Sequence, residues 1–427
     1  MPRSALRILI AALGSHGDVH PFLALGQTLR RRGHDVRIIA PVMYQPLANS
    51  LGLKFVPVGT VELFERHVSK PELWRPVRGF GVLAQSVSEL LEPYYQAIVR
   101  NHQSGATVLV LSSLVLGGRV AQDALRIPAV SVHLSPAVLR SLQSPAKTPP
   151  LPVSGRLPEW WNRLVYRGVD ALVMDRALAG PVNDFRRSLG LGPVRRIFNG
   201  WVHSPDRVIG LFPDWFAPPP RDWPRQTVLT GFPLYDESDV TSVDPAIEEF
   251  LNNGPAPIAF TPGSAMRHGE HFFAEAVRAC RILGCRGVLL SRHAQHVPGN
   301  LPAEIRHVDY VPFSRLLPHC AAVVHHGGIG TAAQALAAGI PQLAVPMAHD
   351  QPDNAARLKR LGVAEVLPAR RFCAARAAVA LKIAMDESHR AACMSIKNRM
   401  ATENPLAKTA EIIEATFAQE HPRGAGG

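Results

Sequence analysis

The sequence contains 427 residues, of which 47% are hydrophobic and 19% charged, and its formal net charge is +12. This length predicts two or three domains with large cores, and the composition excludes disordered, collagen-like and disulfide-scaffold proteins. No stretch approaches the ~20 apolar residues of a membrane-spanning helix, and no cysteine belongs to a CxxC pair. We therefore expect a cytoplasmic protein without a cysteine-bound metal.

Short apolar runs alternate with helical patterns through the first half of the chain. This alternation is typical of parallel β-α-β units, in which helices cover both faces of the sheet. The first run follows Arg3 and Arg7, but it is too short for a signal peptide, so we interpret it as a buried strand. The predicted strands are 6–13, 35–40, 55–58, 107–111 and 129–133, and the predicted helices are 21–32, a stretch ending at 52, 82–99 and one after 111.

Two proline-rich stretches interrupt this pattern, at 136–158 and at 212–236. Proline lacks a backbone donor, so we expect an irregular loop in the first and a domain boundary in the second. The predicted organisation is an N-terminal Rossmann-like domain 1–220, a linker 221–240, a C-terminal Rossmann-like domain 241–405 and a C-terminal helix and tail 406–427. In the second half we predict strands 258–261, 287–291, 321–325 and 342–345, and helices 271–283, 329–338 and several from 371 to 418.

The most informative segment is His325-His326-Gly327-Gly328-Ile329-Gly330-Thr331, which lies between a predicted strand and a predicted helix. Its glycines would let a ligand approach the backbone, and the helix N-terminus favours an anion such as a diphosphate. A histidine and a threonine hydroxyl could add hydrogen bonds. The alternative is that the glycines only permit tight packing of the strand against the helix.

A second polar cluster, His349-Asp350-Gln351 with Asn354, follows the next predicted strand. A carboxylate beside a carboxamide can bridge neighbouring hydroxyl groups on a sugar ring, because together they donate and accept hydrogen bonds. Asp350 could also cap the helix that follows it.

The segment from Tyr310 to Asn354 resembles the donor-binding signature of family 1 glycosyltransferases, whose GT-B fold pairs two facing Rossmann-like domains across a cleft. The resemblance implies that His326 and Thr331 contact the diphosphate of a nucleotide-sugar, at the glycine turn that contains Gly328 and Gly330. It further implies the donor contacts Ser264 (phosphate), Tyr310 and Val311 (base), Gln334 (ribose), and Asp350 and Gln351 (sugar hydroxyls). Tyr310 stands where a tryptophan is common, and Gln334 stands where a glutamate is common and would bind the ribose without a charge. The nucleotide-sugar would be a co-substrate, with no separate cofactor.

Glycosyl transfer to a hydroxyl group requires a base near the nucleophile. The turn after the first strand, Gly14-Ser15-His16-Gly17-Asp18-Val19-His20, provides candidates, and the resemblance favours Asp18, with His16 and His20 as competitors. Asp18 could instead cap the following helix. A nicotinamide-binding domain would need G-x-G-x-x-G here, and this turn lacks it, so we exclude a dehydrogenase. No Asp-x-Asp pair occurs in the sequence, which favours transfer without a metal.

Several further stretches, among them Pro71-Glu72-Leu73-Trp74 and Thr230-Gly231-Phe232-Pro233-Leu234, resemble the rhamnolipid rhamnosyltransferase branch. This resemblance implies an inverting enzyme that uses dTDP-rhamnose and a β-hydroxy fatty acyl acceptor, with peripheral membrane association or an acyl-supplying partner subunit. Expected acceptor contacts are Phe80, His133 and Ser135. Alternatives are UDP-glucose-type transfer to a sterol, polyketide or other lipophilic alcohol, a non-catalytic accessory subunit, and a nucleotide-sugar epimerase. The scattered basic residues do not alternate with aromatic ones, so we expect no nucleic-acid partner.

Overall fold

The computed structural model describes residues 5–75 and 78–420, and these divide into two compact units. The first unit comprises the chain up to Pro233 together with the chain from Asn404 onward, and the second is Leu234–Glu403. The predicted tail beyond residue 420 lies outside the described residues. Within the described part of the chain, no helix combines the length and the apolarity that crossing a bilayer requires.

A parallel sheet of seven strands forms the centre of the first unit. The strands are β1 (Arg7–Ala11), β2 (Asp35–Pro41), β3 (Lys54–Val58), β4 (Thr107–Ser112), β5 (Ala129–His133), β6 (Arg207–Gly210) and β7 (Thr227–Leu229). Their order across the sheet is 3-2-1-4-5-6-7, so the winding direction reverses between β1 and β4. Open α/β sheets bind ligands beyond the carboxyl ends of their strands at such a switch point.

In the described part of the first unit, eight α-helices lie before residue 233. They are α1 (His16–Arg31), α2 (Gln45–Ser50), α3 (Val61–Val68), α4 (Arg78–Glu89), α5 (Leu91–Asn101), α6 (Leu116–Leu125), α7 (Glu159–Val169) and α8 (Asp175–Ser188). The proline-rich segment between β5 and α7 contains one short 3₁₀ turn, Pro136–Val138, and is otherwise irregular, as the sequence predicts.

The second unit has a parallel sheet of six strands with the same type of winding. The strands are β8 (Ile258–Thr261), β9 (Gly287–Leu290), β10 (Ile305–Val308), β11 (Ala322–His325), β12 (Gln342–Ala344) and β13 (Ala364–Val366). The helices are α9 (Pro245–Asn252), α10 (Glu270–Leu283), α11 (Phe313–Leu316), α12 (Ile329–Ala338), α13 (Gln351–Arg360), α14 (Ala374–Ala384) and α15 (Glu387–Met400). The strand order 10-9-8-11-12-13 places the switch point between β8 and β11. Both sheets are parallel, which confirms the predicted α/β class.

The last helix, α16 (Pro405–Glu420), belongs to the first unit, and its contacts with that unit include a buried carboxylate. Glu414 accepts hydrogen bonds from the Nε and Nη2 atoms of Arg32 at 2.7 and 2.9 Å and from Nε2 of His34 at 2.9 Å. The backbone N–H of Leu6 donates to Nδ1 of His34, so the imidazole proton lies on Nε2 and points to Glu414. The end of the chain therefore stabilises α1 and the start of β2.

Two helix predictions need correction. Helix α1 begins at His16 rather than at Pro21, because Ser15, six residues before the proline, forms a capping box with Asp18. Pro21 lies inside the helix and costs one backbone hydrogen bond. The predicted helix 82–99 is two helices that meet at Leu90, since the ring of Pro93 would clash with the carbonyl group of Glu89 in a continuous helix.

The stretch 221–240, predicted as a linker, contributes the edge strand β7 to the first sheet. Its flanking prolines suggested an irregular segment, but proline is tolerated beside an edge strand. Strands β10 and β13 were also missed, because each has only three or four residues and includes charged side chains. Helix α12 agrees with its predicted bounds.

Candidate functional site

At the switch point of the second unit, His325 ends β11 and fixes the glycine turn that follows. Its side chain has no exposed surface. The N–H of Gly327 donates to Nδ1 at 3.1 Å, so the proton lies on Nε2, which donates to Oε1 of Gln342 at 2.9 Å. Burial lowers the pKa of His325 to about 4, so this imidazole is neutral near pH 7. His325 is therefore a structural part of the turn.

His326 packs between two glycine residues from different turns. A Cβ atom on Gly263, which follows β8, would lie 2.7 Å from the imidazole, and a Cβ on Gly328 would overlap the ring. Only glycine at both positions lets the backbone approach the ring this closely. Nδ1 of His326 is buried and has no hydrogen-bond partner among the residues that the structure describes. Burial lowers the pKa of His326 to about 3, so the ring offers one neutral N–H donor near pH 7.

Helix α12 begins at Ile329, three residues after this histidine, with Gly328 in the N-cap position. The first backbone N–H groups of a helix have no partner within it, and they carry a partial positive charge. Gly330 is exposed, and a Cβ there would meet no atom within 4 Å. Thr331 is half-buried in the first turn, whereas Gln334 is buried one turn later. The exposed start of α12 is therefore suited to an anion, and Ser264 lies exposed on the neighbouring turn.

The loop between β12 and α13 holds the second polar cluster. Asp350 occupies the N-cap position of α13, but its Oδ2 atom accepts a hydrogen bond from the side chain of Asn354 at 2.8 Å. Asn354 also donates to the carbonyl oxygen of Gly327 at 3.1 Å, so it joins this loop to the glycine turn. The carboxamide oxygen of Gln351 accepts the backbone N–H groups of Met347 and Ala348, so it holds the loop in shape.

His349 lies between these groups with a φ of 58°. A positive φ is unfavourable for a residue with a side chain, and such strain collects at binding sites. The hydrogen bonds of Gln351 to the preceding backbone help to hold this conformation. The loop is thus preorganised at the carboxyl end of β12.

Tyr310 and Val311, the residues predicted to face a nucleotide base, follow β10. The hydroxyl group of Tyr310 donates to the carbonyl oxygen of Asp236 at 2.6 Å, and the guanidinium group of Arg292 lies 4.9 Å from the ring centre. Burial raises the pKa of Tyr310 well above its usual value. Tyr310 is half-buried, whereas Val311 is buried and leaves only its backbone for a ligand.

At the switch point of the first unit, Asp18 is held by the residues that precede it. The backbone N–H and the hydroxyl group of Ser15 both donate to Oδ2 of Asp18, at 2.7 and 2.9 Å. Gly14 has a φ of 134°, and a Cβ there would overlap the carboxylate of Asp18. Asp18 therefore completes the capping box of α1 from within its first turn, with Ser15 as the N-cap, and is not the N-cap of a helix that begins at Pro21. Its half-buried carboxylate has a fixed orientation just beyond the end of β1.

The two histidines near Asp18 lie on one side of the same helix. The ring of His16 meets that of His20 edge to face at 5.1 Å and that of Tyr44 at 5.4 Å. The hydroxyl group of Tyr44 donates to the carbonyl oxygen of Gly14, which links α1 to the turn. His16 is half-buried and His20 is buried, and both lie with Asp18 in the first turns of α1.

The predicted acceptor contacts differ in exposure. Phe80 is half-buried on α4, and its ring lies edge to face with Phe198 at 5.8 Å. Ser135 is buried and caps the 3₁₀ turn that follows β5. His133 has no exposed surface and is hydrogen-bonded to the half-buried Ser113, so its direct contact with an acceptor stays a prediction.

Sequence reasoning did not assign the roles of His325, Gln342 and Asn354. The signal for Asn354 was present, since positions four residues apart on a helix lie side by side, and Asp350 precedes it by four. The contact between Gly263 and His326 had no local signal, because it depends on the pairing of β8 with β11.

Two parallel sheets of Rossmann type, each with polar residues at its switch point, are the elements of the GT-B fold, and solved structures share this fold. A glycosyltransferase of kitacinnamycin matches with a TM-score of 0.75 over 97% of this chain and 100% of its own, at 20% identity. Spinosyn rhamnosyltransferase SpnG complexed with thymidine diphosphate matches with a TM-score of 0.68 over 96% of this chain and 100% of its own, at 20% identity.

Sequence comparisons identify the family. Residues 8–141 match the glycosyltransferase family 28 N-terminal domain, and residues 287–416 match the erythromycin biosynthesis protein CIII-like C-terminal domain. O-mycaminosyltylonolide 6-deoxyallosyltransferase of Streptomyces fradiae is 34% identical over 84% of this chain and 85% of its own. Vancomycin aglycone glucosyltransferase of Amycolatopsis orientalis is 29% identical over 84% of this chain and 85% of its own. The chain belongs to the family 1/28-type GT-B glycosyltransferases, and it is a glycosyltransferase.

Proposed function

We propose that this enzyme transfers a sugar from a thymidine diphosphate sugar, with dTDP-rhamnose favoured, to a hydroxyl group of a hydrophobic acceptor such as a β-hydroxy fatty acyl lipid. The main observation that supports the proposed donor is the neutral His326, which is held between Gly263 and Gly328 beside the exposed start of α12. The similarity to a 6-deoxyallosyltransferase and to a rhamnosyltransferase complexed with thymidine diphosphate supports a thymidine-linked deoxysugar.

In the proposed reaction, Asp18 accepts the proton of the acceptor hydroxyl group while the oxygen of that hydroxyl group attacks the anomeric carbon. The bond from that carbon to the diphosphate oxygen breaks, and the diphosphate leaves with the electron pair. A single displacement of this kind inverts the anomeric configuration. Ser15 supports the role of Asp18, because its two donors hold one carboxylate oxygen in place.

The leaving diphosphate would bind the first N–H groups of α12, the hydroxyl groups of Thr331 and Ser264, and the N–H of His326. Because burial keeps His326 neutral, we assign it a hydrogen bond rather than a positive charge. The helix N-terminus then supplies the electrostatic stabilisation, so we propose transfer without a metal or a separate cofactor. Asp350 and the amide group of Gln351 would bind the sugar hydroxyls.

A donor screen tests this assignment. We expect dTDP-rhamnose and dTDP to raise the unfolding temperature, since a ligand at ~100 times its Kd stabilises a protein by ~2.7 kcal/mol. UDP-glucose and UDP are the matched controls. Stabilisation by the uridine ligands alone would contradict the donor and favour the second candidate, a UDP-glucose-type glucosyltransferase acting on a sterol or polyketide. The glucosyltransferase relative from Amycolatopsis orientalis supports that candidate.

The exposed face of α7 supports a lipid acceptor that is met at an anionic membrane surface. Trp160 and Leu164 are 65% and 58% exposed on this helix, and Leu172 just beyond it is 70% exposed. Arg163 and Arg167 are exposed on the same helix, one turn apart. Exposed aromatic and aliphatic side chains flanked by arginine are typical of a helix that lies in a membrane interface.

Sedimentation with lipid vesicles tests this association. We expect binding to vesicles that contain phosphatidylglycerol and little binding to pure phosphatidylcholine. Trp160→Ser with Leu164→Ser should abolish it, whereas Val379→Ser, at an equally exposed valine of the second unit, should not. Equal binding by both variants would contradict an interface at α7. Self-association that depends on Trp160 would indicate that a second copy covers this face instead.

A further inference from the structure

Three side chains form a hydrogen-bonded chain in the first unit that the proposed reaction does not use. Oγ of Ser113 lies 2.7 Å from Nδ1 of His133, and Nε2 of His133 lies 2.9 Å from Nδ1 of His203. The two imidazole rings meet at an interplanar angle of 84°. We call these residues the Ser-His-His chain.

The Ser-His-His chain starts at the switch point of the sheet. Leu111 of β4 pairs with Ala11 of β1, and Ser113 follows β4 just as the turn that holds Asp18 follows β1. Ser113 is half-buried, whereas His133 has no exposed surface and His203 is buried. Ser113 is therefore the member of the Ser-His-His chain that a ligand can contact.

Both histidines of the chain are neutral. Burial lowers the pKa of His133 well below its usual value and that of His203 to about 4. Each ring then carries one proton, and two arrangements satisfy both hydrogen bonds. In one, Ser113 donates to His133 and His133 donates to His203. In the other, His203 donates to His133 and His133 donates to Ser113, which leaves the serine O–H to donate outward.

We propose that Ser113 binds the hydroxyl group of the acceptor alcohol in the second of these arrangements. The serine O–H would donate to the acceptor oxygen whose own proton passes to Asp18. His133 and His203 are positioning residues, since they act only by fixing the hydrogen bonding of Ser113. This inference rests on the proposed function and adds the residue that recognises an alcohol in an otherwise apolar substrate.

The neighbouring Ser112 provides a matched control. It ends β4 and is buried, and its hydroxyl group has no hydrogen-bond partner within the described part of the chain. Ser112→Ala therefore removes the same atom from the adjacent position without touching the Ser-His-His chain. Ser113→Thr keeps the hydroxyl group and serves as the conservative variant.

Steady-state kinetics with the acceptor test the role of Ser113. We expect Ser113→Ala to lower kcat/KM for the acceptor about tenfold, as the loss of one hydrogen bond predicts. Ser113→Thr should restore most of it, Ser112→Ala should have no effect, and the Kd for dTDP should stay unchanged in all three. His133→Asn should have no further effect in the Ser113→Ala background, since it acts through that serine.

A binding measurement without a donor separates this inference from the proposed function. The probes are a medium-chain β-hydroxy fatty acid and the same acid without the hydroxyl group. We expect Ser113→Ala to weaken binding of the hydroxylated acid about tenfold and to leave the other acid unchanged. Equal effects on both acids, or none on either, would overturn the role of Ser113. If the wild-type protein binds neither acid but binds dTDP, the proposed acceptor class is wrong instead.

Discussion

The two switch points of this glycosyltransferase differ in whether backbone or side-chain groups supply the polar atoms. In the second unit, glycines bring the backbone against His326 and leave the first turn of α12 exposed. In the first unit, side chains carry the polar groups: Asp18 with its serine, and Ser113 with its two histidines. Backbone N–H groups suit a diphosphate, whose charge is spread over several oxygens, whereas proton transfer requires one basic atom. From this comparison we expect that donor binding and acceptor activation can be altered separately.

The largest effect expected is that of Asp18→Asn on the first switch point. Asparagine keeps an oxygen that can accept both hydrogen bonds of Ser15, so the turn should fold unchanged. Loss of the base should lower kcat about 10³-fold. Initial-rate assays and calorimetry with dTDP would measure both properties. Retention of more than about a tenth of the activity would exclude Asp18 as the base and favour His16 or His20.

Acid should destabilise both switch points through their buried histidines. Folding lowers the pKa of His203 and His325 from 6.5 to about 4, so the unfolded chain binds protons at pH values where the folded protein does not. Stability is therefore complete above pH 6.5 and falls as the pH drops toward 4. Over that pH range, the protonation of each histidine should lower the free energy of unfolding by about 3 kcal/mol.

Urea unfolding at several pH values would measure this slope. The variant His203→Gln removes one titrating group of the first unit, and we expect a shallower decrease in stability toward acid. An unchanged slope in this variant would contradict the neutral state assigned to the Ser-His-His chain.

Gly328→Ala tests the packing of the second switch point. The added methyl group would overlap the imidazole of His326, which Gly263 confines on another side. We expect a loss of about 2 kcal/mol in the free energy of unfolding, together with weaker binding of dTDP. An unchanged unfolding temperature would mean that His326 is not fixed as described.

Gly330→Ala should have the smallest effect, and it should affect only the binding of the donor. A Cβ there meets no protein atom within 4 Å, and alanine is the better helix former, so stability should not fall. The methyl group would occupy the space beside the first N–H groups of α12, and we expect dTDP affinity to fall about tenfold. Unchanged affinity would place the diphosphate away from this turn.

Local signals in the sequence were sufficient for some of these features. The glycines at 328 and 339 bracket an apolar run, and Gly339 has the positive φ of a helix C-cap, so α12 was predicted with its observed bounds. The two short strands β10 and β13 had no comparable signal, because their edges are set by pairing with β9 and β12.

The residues of the two switch points also divide into those with a local sequence signal and those placed by long-range pairing. His326 and Asp350 lie in contiguous motifs and could be named from the sequence. The hydrogen-bond partners of His133 lie 20 and 70 residues away in the chain, so its place in the Ser-His-His chain follows only from the strand order. His133, which was predicted to touch the acceptor, is fully buried.

The central claim is that the second unit binds the donor and the first supplies the base. The direct test is to measure the Kd for dTDP and the kcat for transfer in Asp18→Asn and in Gly330→Ala, side by side. We expect Asp18→Asn to lose kcat with its Kd unchanged, and Gly330→Ala to raise the Kd at nearly full kcat. Equal losses of both properties in both variants, or the reverse pattern, would contradict this division.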